Sequence, residues 1–380
     1  MRVVIAPDSF KECASASVVA QAISWGVRGV LPEAAIVCVP MADGGEGTLD
    51  AVLSAIEGRR VRAQCRGPLG EAREAEYGLF EGGRTALVEM AAACGLALVP
   101  REKRNPGATT TLGLGDLIRH ALDRGVDRVI IGLGGSATND AGAGMARALG
   151  YRLLDGGGRE LGVGGLALHG LARIDATNAH PRIREVAFVG ACDVTNRLCG
   201  PRGASFMYGA QKGADAKMMA ELEHALLQFG RIAGKHFEVD ALDTPGSGAA
   251  GGLGAGIRTF LHGSLKPGFE LIAELTGLKE TMRGADLVIT GEGKLDGQSA
   301  FGKVPAGVAR LANELGIPVA VIAGQITASR EELDAMGFAD AEPLSGNGVT
   351  AEESIAHAEA FIEEAAAHIA RRYAGASNAL

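Results

Sequence analysis

Three features that define large classes of proteins are missing from this sequence. It has no basic run interleaved with aromatics, no Cys-x-x-Cys spacing, and no stretch near the roughly 18 consecutive apolar residues that span a bilayer. The formal net charge is -8. These observations argue against a nucleic-acid partner, a transmembrane protein, and a zinc site or disulfide framework.

Aromatics and histidines are also sparse. Aromatic residues make up 4% of the chain, and the eight histidines are scattered singly, which disfavours catalysis or metal binding by a histidine cluster. The six cysteines lie mostly in apolar contexts, so we expect buried, reduced thiols. The N-terminal MRVVIAPDSF has no secretory pattern, and we predict a cytoplasmic protein.

Glycine, by contrast, is abundant. The 380 residues include 57 glycines, about twice the usual share. They cluster where apolar runs meet helical patterns, which indicates loops that let the backbone approach a ligand closely. With 47% hydrophobic and 22% charged residues, the composition is that of a globular protein.

The two ends of the chain share a parallel α/β pattern. Near the N-terminus we predict strands at 3–6 and 34–41 and helices at 15–31 and 48–56. Near the C-terminus we predict strands at 287–290 and 319–323, helices from Pro305 and Ser329, and a long final helix. That helix begins with the capping box Thr350 to Glu353, and Gly375 suits its C′ position.

The middle of the chain has a different pattern of predicted strands and helices. "RRVRAQCRG", "EAEYGLF" and "TALVEMAA" predict an antiparallel meander, followed by strands at 128–131 and 186–191 and helices at 111–124, 142–149 and 217–235. We therefore predict two unlike α/β domains. Residues 1–65 and 285–380 would form a discontinuous Rossmann-like parallel-sheet domain, residues 66–284 an inserted mixed α/β domain, with the active site in the cleft between them.

Polar residues follow four predicted strands. They occupy 8–11, 43–46, 192–196 and 290–294, and the carboxyl ends of parallel strands converge on one crevice. Each segment alone is typical of a turn. Together they predict a ligand site.

Two glycine-rich stretches add hydrogen-bond donors. "GLGGSATNDAGAGM" runs from a strand to a helix and could offer backbone N–H groups to an anion. "PGSGAAGGLGAG" contains G-x-G-x-x-G, but no strand precedes it and no acidic residue follows at the spacing that a dinucleotide site requires. Close packing of helices and contact with a phosphate both remain open for this stretch.

A third stretch, "TGEGKLDGQSAFGKVPAGVARLA", almost spells a phosphate loop. Gly297 to Lys303 match its first seven positions, but Val304 stands where a magnesium-binding hydroxyl is expected. Carboxylates, lysines and glycine loops suit phosphoryl transfer, in which catalysis consists mainly of positioning and charge neutralisation.

In order and spacing, these segments resemble the class I glycerate kinase family. The resemblance also includes "APDSFKECASA", "PMADGGEGTLDA", "ACDVTNRLCGPRGAS", "QKGAD" and "IAGQ". It implies ATP-dependent phosphorylation of D-glycerate to 2-phosphoglycerate with Mg²⁺, and two unlike α/β domains. The sequence departs from the family pattern at Glu12, Cys13, Ala14, Arg197 and Ala210.

The resemblance and the residues together give a set of candidate site residues. Asp193 is the candidate general base, and Lys294 and Lys11 are further catalytic candidates. Candidate substrate-binding residues are Asp8, Ser9, Lys11, Arg202, Asn196, Gln211 and Lys212. Candidates for binding nucleotide or phosphate are Gly134, Gly135, Ser136, Thr138, Asn139, Gly246, Ser247, Gly248, Gly291, Gly293 and Lys294. Candidate Mg²⁺ ligands are Asp43, Glu46, Glu292 and Asp296, with Asp8 as an alternative.

Other functions remain open at this stage. The chain could phosphorylate another short hydroxy acid, or it could be a non-catalytic nucleotide or anion sensor; an NAD-dependent oxidoreductase has only the misplaced G-x-G-x-x-G in its favour. The sequence does not decide which hydroxyl is phosphorylated, which loop holds adenine, or whether the protein is a homo-oligomer.

Overall fold

The computed structural model describes residues 1–10, 13–296, 304–346 and 348–377. The strands within these residues are β1 (Arg2–Ile5), β2 (Ala35–Cys38), β3 (Gly58–Arg66), β4 (Ala72–Phe80), β5 (Thr85–Glu89), β6 (Arg128–Gly132), β7 (Arg152–Leu154), β8 (Arg173–Asp175), β9 (Ala187–Ala191), β10 (Ser264–Lys266), β11 (Leu287–Leu295), β12 (Val319–Ile326) and β13 (Asp340–Pro343).

The α-helices of the same residues alternate with these strands over much of the chain. They are α1 (Ala16–Val30), α2 (Thr48–Ala55), α3 (Met90–Cys94), α4 (Leu112–Asp123), α5 (Ala143–Ala148), α6 (Ala204–Tyr208), α7 (Ala216–Phe237), α8 (Ala249–Phe260), α9 (Gly268–Thr276), α10 (Leu278–Met282), α11 (Val304–Asn313), α12 (Arg330–Ala335), α13 (Ala351–Ala356) and α14 (Ala358–Ser377). Among the helices described, none is long and apolar enough to cross a membrane.

The chain divides into two compact units. Unit 1 comprises Met1–Asp43, Asp50–Ile56 and Phe269–Leu380, and unit 2 comprises Gly44–Leu49 and Glu57–Gly268. Both ends of the chain therefore contribute to unit 1. The domain boundaries near residues 65 and 285 stay a prediction.

Unit 1 contains a five-stranded parallel sheet in the order β13-β12-β11-β1-β2. Its central strands β1, β11 and β12 are buried over most of their length, as expected for a parallel sheet covered by helices. Val3 and Ile5 of β1 and Ile289 of β11 belong to a core cluster that also includes residues of α1 and α14.

Close contact between α1 and α14 depends on a glycine. A Cβ atom at Gly26 of α1 would collide with the carbonyl oxygen of Glu363 and lie 2.8 Å from Cβ of Ala366. Only a residue without a side chain fits there. Gly29, on the same helix, has open space around the position of its missing Cβ.

Unit 2 contains a six-stranded mixed sheet in the order β10-β9-β6-β5-β4-β3. Strands β10, β9, β6 and β5 pair in parallel, whereas β4 pairs antiparallel with β5 and β3. The large core cluster of this unit packs against the sheet and includes Val129, Phe188 and Phe260. The separate strands β7 and β8 form a small antiparallel pair.

The predicted α/β class, with a parallel sheet and a mixed sheet, is confirmed. The predicted meander is also confirmed, as is the capping box at Thr350. The prediction of a single final helix was wrong, because the backbone at His357 is not helical and separates α13 from α14. Gly375 does not end α14, which continues to Ser377. Cys65 and Cys94 are buried, but Cys13 is exposed.

Candidate functional site

In unit 1, the strand order changes direction between β1 and β11. From β1 the chain continues outward to β2, whereas β11, β12 and β13 extend from the other side of β1. Ligands of open α/β sheets bind beyond the carboxyl ends of the strands at such a switch point. At this point the backbone N–H of Asp8 donates to the carbonyl oxygen of Gly291 over 2.8 Å.

The end of β11 carries the predicted Gly291, Glu292, Gly293 and Lys294. Glu292 is 7% exposed, whereas the Lys294 side chain is exposed. In the strand register, Glu292 lies opposite Ala323 and Lys294 opposite Gln325. The strand is longer than the predicted 287–290 because it continues to Leu295 beside β12.

The loop after β1 contains another part of the predicted site. Oδ1 of Asp8 accepts a hydrogen bond from the N–H of Ser9 over 2.7 Å, which fixes the turn. Lys11 lies outside the described residues, as do Gly297 to Lys303 of the loop that resembles a phosphate loop. Val304 is fully buried at the start of α11.

The four predicted Mg²⁺ ligands belong to different units. Asp43, Glu292 and Asp296 lie in unit 1, and Glu46 lies in unit 2. Within the part of the chain that the structure describes, no group of three or more His, Cys, Asp or Glu side chains is placed to hold a metal ion. Mg²⁺ is commonly held by one or two carboxylates together with substrate phosphates, so two carboxylates suffice chemically.

In unit 2, Asp193 lies just beyond the carboxyl end of β9. Its side chain is exposed, and Oδ1 accepts a hydrogen bond from the backbone N–H of Gly268 over 2.8 Å. Gly268 follows β10, the neighbour of β9 in the sheet. The hydrogen bond therefore orients an accessible carboxylate, as a general base requires.

Asn196 organises the rest of this loop. Its Nδ2 donates to the carbonyl oxygen of Arg202 over 2.7 Å, and its Oδ1 accepts from the hydroxyl of Tyr208 over 2.8 Å. The side chains of Arg202 and Gln211 are exposed. The arrangement joins the 192–197 loop to α6 and leaves the Arg202 guanidinium accessible.

Two glycine loops of unit 2 pack backbone against backbone. A Cβ at Gly134 would lie 2.5 Å from Cα of Gly45, and one at Gly132 would lie 2.7 Å from the carbonyl oxygen of Gly44. Larger residues would push these loops apart. The contact also brings Glu46 near Gly135, since a Cβ there would lie 3.6 Å from the carboxyl carbon of Glu46.

Lys212 is buried in unit 2, with only 2% of its surface exposed. Its ammonium group donates to Oγ of Ser136 and to the carbonyl oxygen of Thr138, both over 2.7 Å. Burial lowers the pKa of Lys212 to about 7, while the charge of Asp140 opposes that shift. The structure thus unites three predicted site residues, Lys212, Ser136 and Thr138.

Several buried polar atoms occur in the neighbouring residues. Nδ2 of Asn139 donates to Oγ of Ser205 over 3.2 Å. Among the described residues, no hydrogen-bond partner is found for Oγ1 of Thr138, Oδ1 of Asn139 or Oγ of Ser247. Buried polar atoms usually have partners, so these three atoms are suited to a water molecule or a ligand.

The 245–256 stretch packs closely on this loop. A Cβ at Gly251 would lie 2.6 Å from Cα of Asn139, and one at Gly252 would lie 3.1 Å from Cα of Ala141. Close packing therefore accounts for these two glycines. Contact of Gly246, Ser247 and Gly248 with a phosphate stays a prediction.

Sequence reasoning missed Asp140 and Thr111. Asp140 is a buried carboxylate that accepts hydrogen bonds from Thr111 and from the start of α5. The available signal was an acidic residue directly before a glycine-rich helix start, in "TNDAGAG". Thr111 had no comparable local signal.

Carboxylates, lysines and glycine loops beyond the ends of parallel strands are typical of enzymes that transfer phosphoryl groups. A model of the glycerate kinase family matches residues 3–374. The chain is 47% identical to a glycerate kinase of Halalkalibacterium halodurans over 97% of each chain, and 50% identical to a glycerate 2-kinase of Escherichia coli K12 over 86% of each.

A solved structure agrees with these relatives. It is described as glycerate kinase 2 from Salmonella typhimurium LT2 and superposes with a TM-score of 0.89 at 43% identity, covering 100% of this chain and 99% of the other. The chain belongs to the glycerate kinase family. The family resemblance predicted from the sequence is confirmed.

Proposed function

We propose that this protein is a glycerate 2-kinase that transfers the γ-phosphoryl group of ATP to the C2 hydroxyl of D-glycerate. The observation that carries the proposal is 50% identity to a glycerate 2-kinase over 86% of both chains. A cytoplasmic location and assembly into a homo-oligomer stay predictions, which cell fractionation and light scattering would test.

Asp193 is the proposed general base. The acceptor hydroxyl must lose its proton as the bond to phosphorus forms, and a positioned carboxylate can take that proton. Asp193 is exposed, so a substrate hydroxyl can reach it, and the hydrogen bond from Gly268 limits its rotation. Its second carboxylate oxygen would receive the proton.

The carboxylate of glycerate would bind to the exposed Arg202. A guanidinium matches a carboxylate in shape and can donate two parallel hydrogen bonds. Asn196 contributes indirectly, because it holds the carbonyl group of Arg202 and the hydroxyl of Tyr208. Asp8, Ser9, Lys11, Gln211 and Lys212 are the further proposed substrate-binding residues.

The glycine loop of residues 134–139 would bind phosphate groups through its backbone N–H donors. Lys294 is exposed at the end of β11 and would neutralise charge on the transferred group. Lys212 is proposed for the same task. These lysines would stabilise the negative charge that spreads over the transferred group in the transition state.

Mg²⁺ is the proposed companion of ATP. Glu292 would hold it from the end of β11, with Asp8, Asp43 or Asp296 as a second carboxylate in unit 1 and Glu46 as the candidate in unit 2. The hydrogen bond from the N–H of Asp8 to the carbonyl oxygen of Gly291, the residue before Glu292, favours Asp8 and Glu292 as the pair. When bound, Mg²⁺ would neutralise phosphate charge and orient the leaving group.

A coupled assay with ATP, MgCl₂ and D-glycerate tests the function, with the product identified by phosphorus NMR. We expect ADP and 2-phosphoglycerate in equal amounts. D-Lactate is the matched control for D-glycerate as acceptor, because it keeps the C2 hydroxyl and the carboxylate but lacks the C3 hydroxyl.

Each outcome of this assay decides between the candidate functions. Formation of 3-phosphoglycerate would refute the proposed position of phosphorylation. Turnover with another hydroxy acid but not with glycerate would favour a different acceptor. Nucleotide binding by folded protein without turnover on any acceptor would favour a sensor.

A further inference from the structure

Asp140 connects two helix starts inside unit 2. The carboxylate, 1% exposed, accepts hydrogen bonds from the backbone N–H of Thr111 over 2.9 Å, of Gly142 over 3.1 Å and of Gly144 over 3.2 Å. Thr111 directly precedes α4, and Gly142 directly precedes α5. One side chain therefore binds backbone groups at the beginnings of both helices, which otherwise have no partner within the helix.

The hydroxyl of Thr111 strengthens this connection. It accepts a hydrogen bond from the N–H of Met145 over 2.9 Å, so its own hydrogen can donate to Asp140, whose oxygens lie 3.0 and 3.1 Å away. Thr110 adds a longer contact of 3.5 Å from its hydroxyl. The position of α5 relative to α4 is thus set by hydrogen bonds that end on Asp140.

The geometry fits an ionised Asp140. Both carboxylate oxygens face donors, and a protonated carboxyl group would place its own hydrogen among them. Burial raises the pKa of Asp140 above its usual value, and its hydrogen bonds with Thr111, Gly144 and Gly142 offset only part of that shift. A buried negative charge consequently lies directly beside the loop that contains Ser136 and Thr138.

Lys212 is the positive charge on the other side of that loop. Its two hydrogen-bond acceptors, Ser136 and the carbonyl of Thr138, are neutral, and the charge that favours its ammonium form is that of Asp140. Other titratable groups lie beside this loop, and one of them is the carboxyl group of Glu46, near Gly135. Cys94 feels the charge of Asp140 from α3, and the Arg104 guanidinium donates to the carbonyl of Gln211, next to Lys212.

We propose that Asp140 is a positioning residue of the kinase reaction: it fixes the 134–142 loop on α4 and α5 and keeps the buried Lys212 ammonium charged. The proposal rests on the function proposed above, because it assigns this loop to an anionic substrate. A charged Lys212 fixes Ser136 and Thr138 with two short hydrogen bonds and adds positive potential to the loop. Loss of the proton would remove that potential.

The direct test follows the titration of Lys212 by NMR in the intact protein labelled with ¹³C at the lysine ε-carbons. The Lys212 signal is identified as the one that is missing from the spectrum of a Lys212→Arg variant. We expect a midpoint near neutral pH in the wild type and a lower midpoint in Asp140→Asn, because removing a negative charge disfavours the ammonium form. Thr111→Val is the matched control: it removes a hydrogen bond to Asp140 but no charge, so the midpoint should stay close to that of the wild type.

Kinetics then test the connection to the reaction. For wild type, Asp140→Asn and Thr111→Val, kcat/KM for ATP is measured from pH 6 to 9. In Asp140→Asn we expect the alkaline loss of activity to move to lower pH. For a midpoint lowered by one pH unit, the protonated fraction at alkaline pH falls about tenfold. A merely structural role would lower activity by the same factor at every pH.

Two results would overturn the proposal. One is a Lys212 midpoint that Asp140→Asn leaves unchanged; the other is a wild-type midpoint well below pH 7, because the Lys212 amine would then be uncharged at neutral pH. The wild-type titration decides the second point even if Asp140→Asn does not fold. Because the titration requires no turnover, it also separates failure of this proposal from failure of the glycerate kinase assignment.

Discussion

The hydroxyl of Tyr208 in α6 donates to Oδ1 of Asn196 over 2.8 Å, while Nδ2 of the same amide donates to the carbonyl oxygen of Arg202. Both ends of the Asn196 amide are therefore occupied by protein. This arrangement fixes which end of the amide carries the oxygen. The same contacts attach the loop that contains Asp193, the proposed base, to α6. The loop should therefore keep its shape when no substrate is bound.

Replacing Tyr208 with Phe removes only the hydroxyl of this contact. We expect KM for glycerate to rise several-fold, because the loop near Arg202 loses a restraint, and stability to fall by about 1 kcal/mol. Steady-state kinetics and urea unfolding measure the two effects. Tyr373→Phe in α14 is the matched control in unit 1, and an equal rise in KM there would contradict a local effect.

Asp193→Asn preserves the size of the side chain and removes its ability to accept a full proton. We expect kcat to fall by about 10²- to 10⁴-fold, the usual contribution of a general base, with little change in KM for ATP. Rapid-quench kinetics would place the loss in the chemical step. Asp155→Asn, at an acidic residue between β7 and β8, controls for loss of charge in unit 2. Activity of Asp193→Asn close to that of wild type would exclude the assigned role.

Gly26 and Gly29 give a paired test of helix packing. Gly26→Ala places a methyl group against Glu363 and Ala366, so we expect destabilisation by about 1–3 kcal/mol. Gly29→Ala is exposed, meets no neighbour and should stabilise the helix by up to about 1 kcal/mol. Thermal unfolding compares the two variants. A similar change in Tm for both would mean that the contact between α1 and α14 is looser than described.

The buried Lys212 should also make stability depend on pH. Its pKa is about 7 in the folded protein and 10.5 in the absence of the fold, so the unfolded chain binds more protons between these values. Stability therefore rises as pH increases through this window, and the penalty for burying the charge is fully present below pH 7. Urea unfolding of wild type and Lys212→Met at pH 6.5, 7.5 and 8.5 isolates this contribution. The difference in unfolding free energy between them should shift in favour of wild type as pH rises, and a constant difference would contradict the lowered pKa.

Periodicity in the sequence predicted most elements of both sheets. Apolar runs such as 3–6 and 319–323 are buried strands, and the box from Thr350 to Glu353 caps a helix as expected. The break at His357 was missed because the helical pattern continues through it. The end signal at Gly375 was also misleading, because α14 continues to Ser377.

The sequence located the loops of the site more readily than it predicted the side-chain hydrogen bonds within them. Glycines and acids after strands identified the segments, but they did not predict that the buried ammonium of Lys212 donates to Ser136 and Thr138. Lysine is rarely buried, so composition favours an exposed side chain. Asp140 was missed because its partner Thr111 precedes it by 29 residues, and that pairing arises only from the fold.

The pairing of β1 with β11 joins segments separated by more than 280 residues: Val3 lies opposite Leu287. During synthesis, β1 leaves the ribosome long before β11 exists, whereas most of unit 2 is a continuous segment from Glu57 to Gly268. Domains generally fold as units while the chain emerges. The parallel sheet of unit 1 therefore cannot be completed until its central strand β11 has been synthesised. Strand β1 can pair with β2 early, but β1 and α1 spend most of translation without β11 and α14.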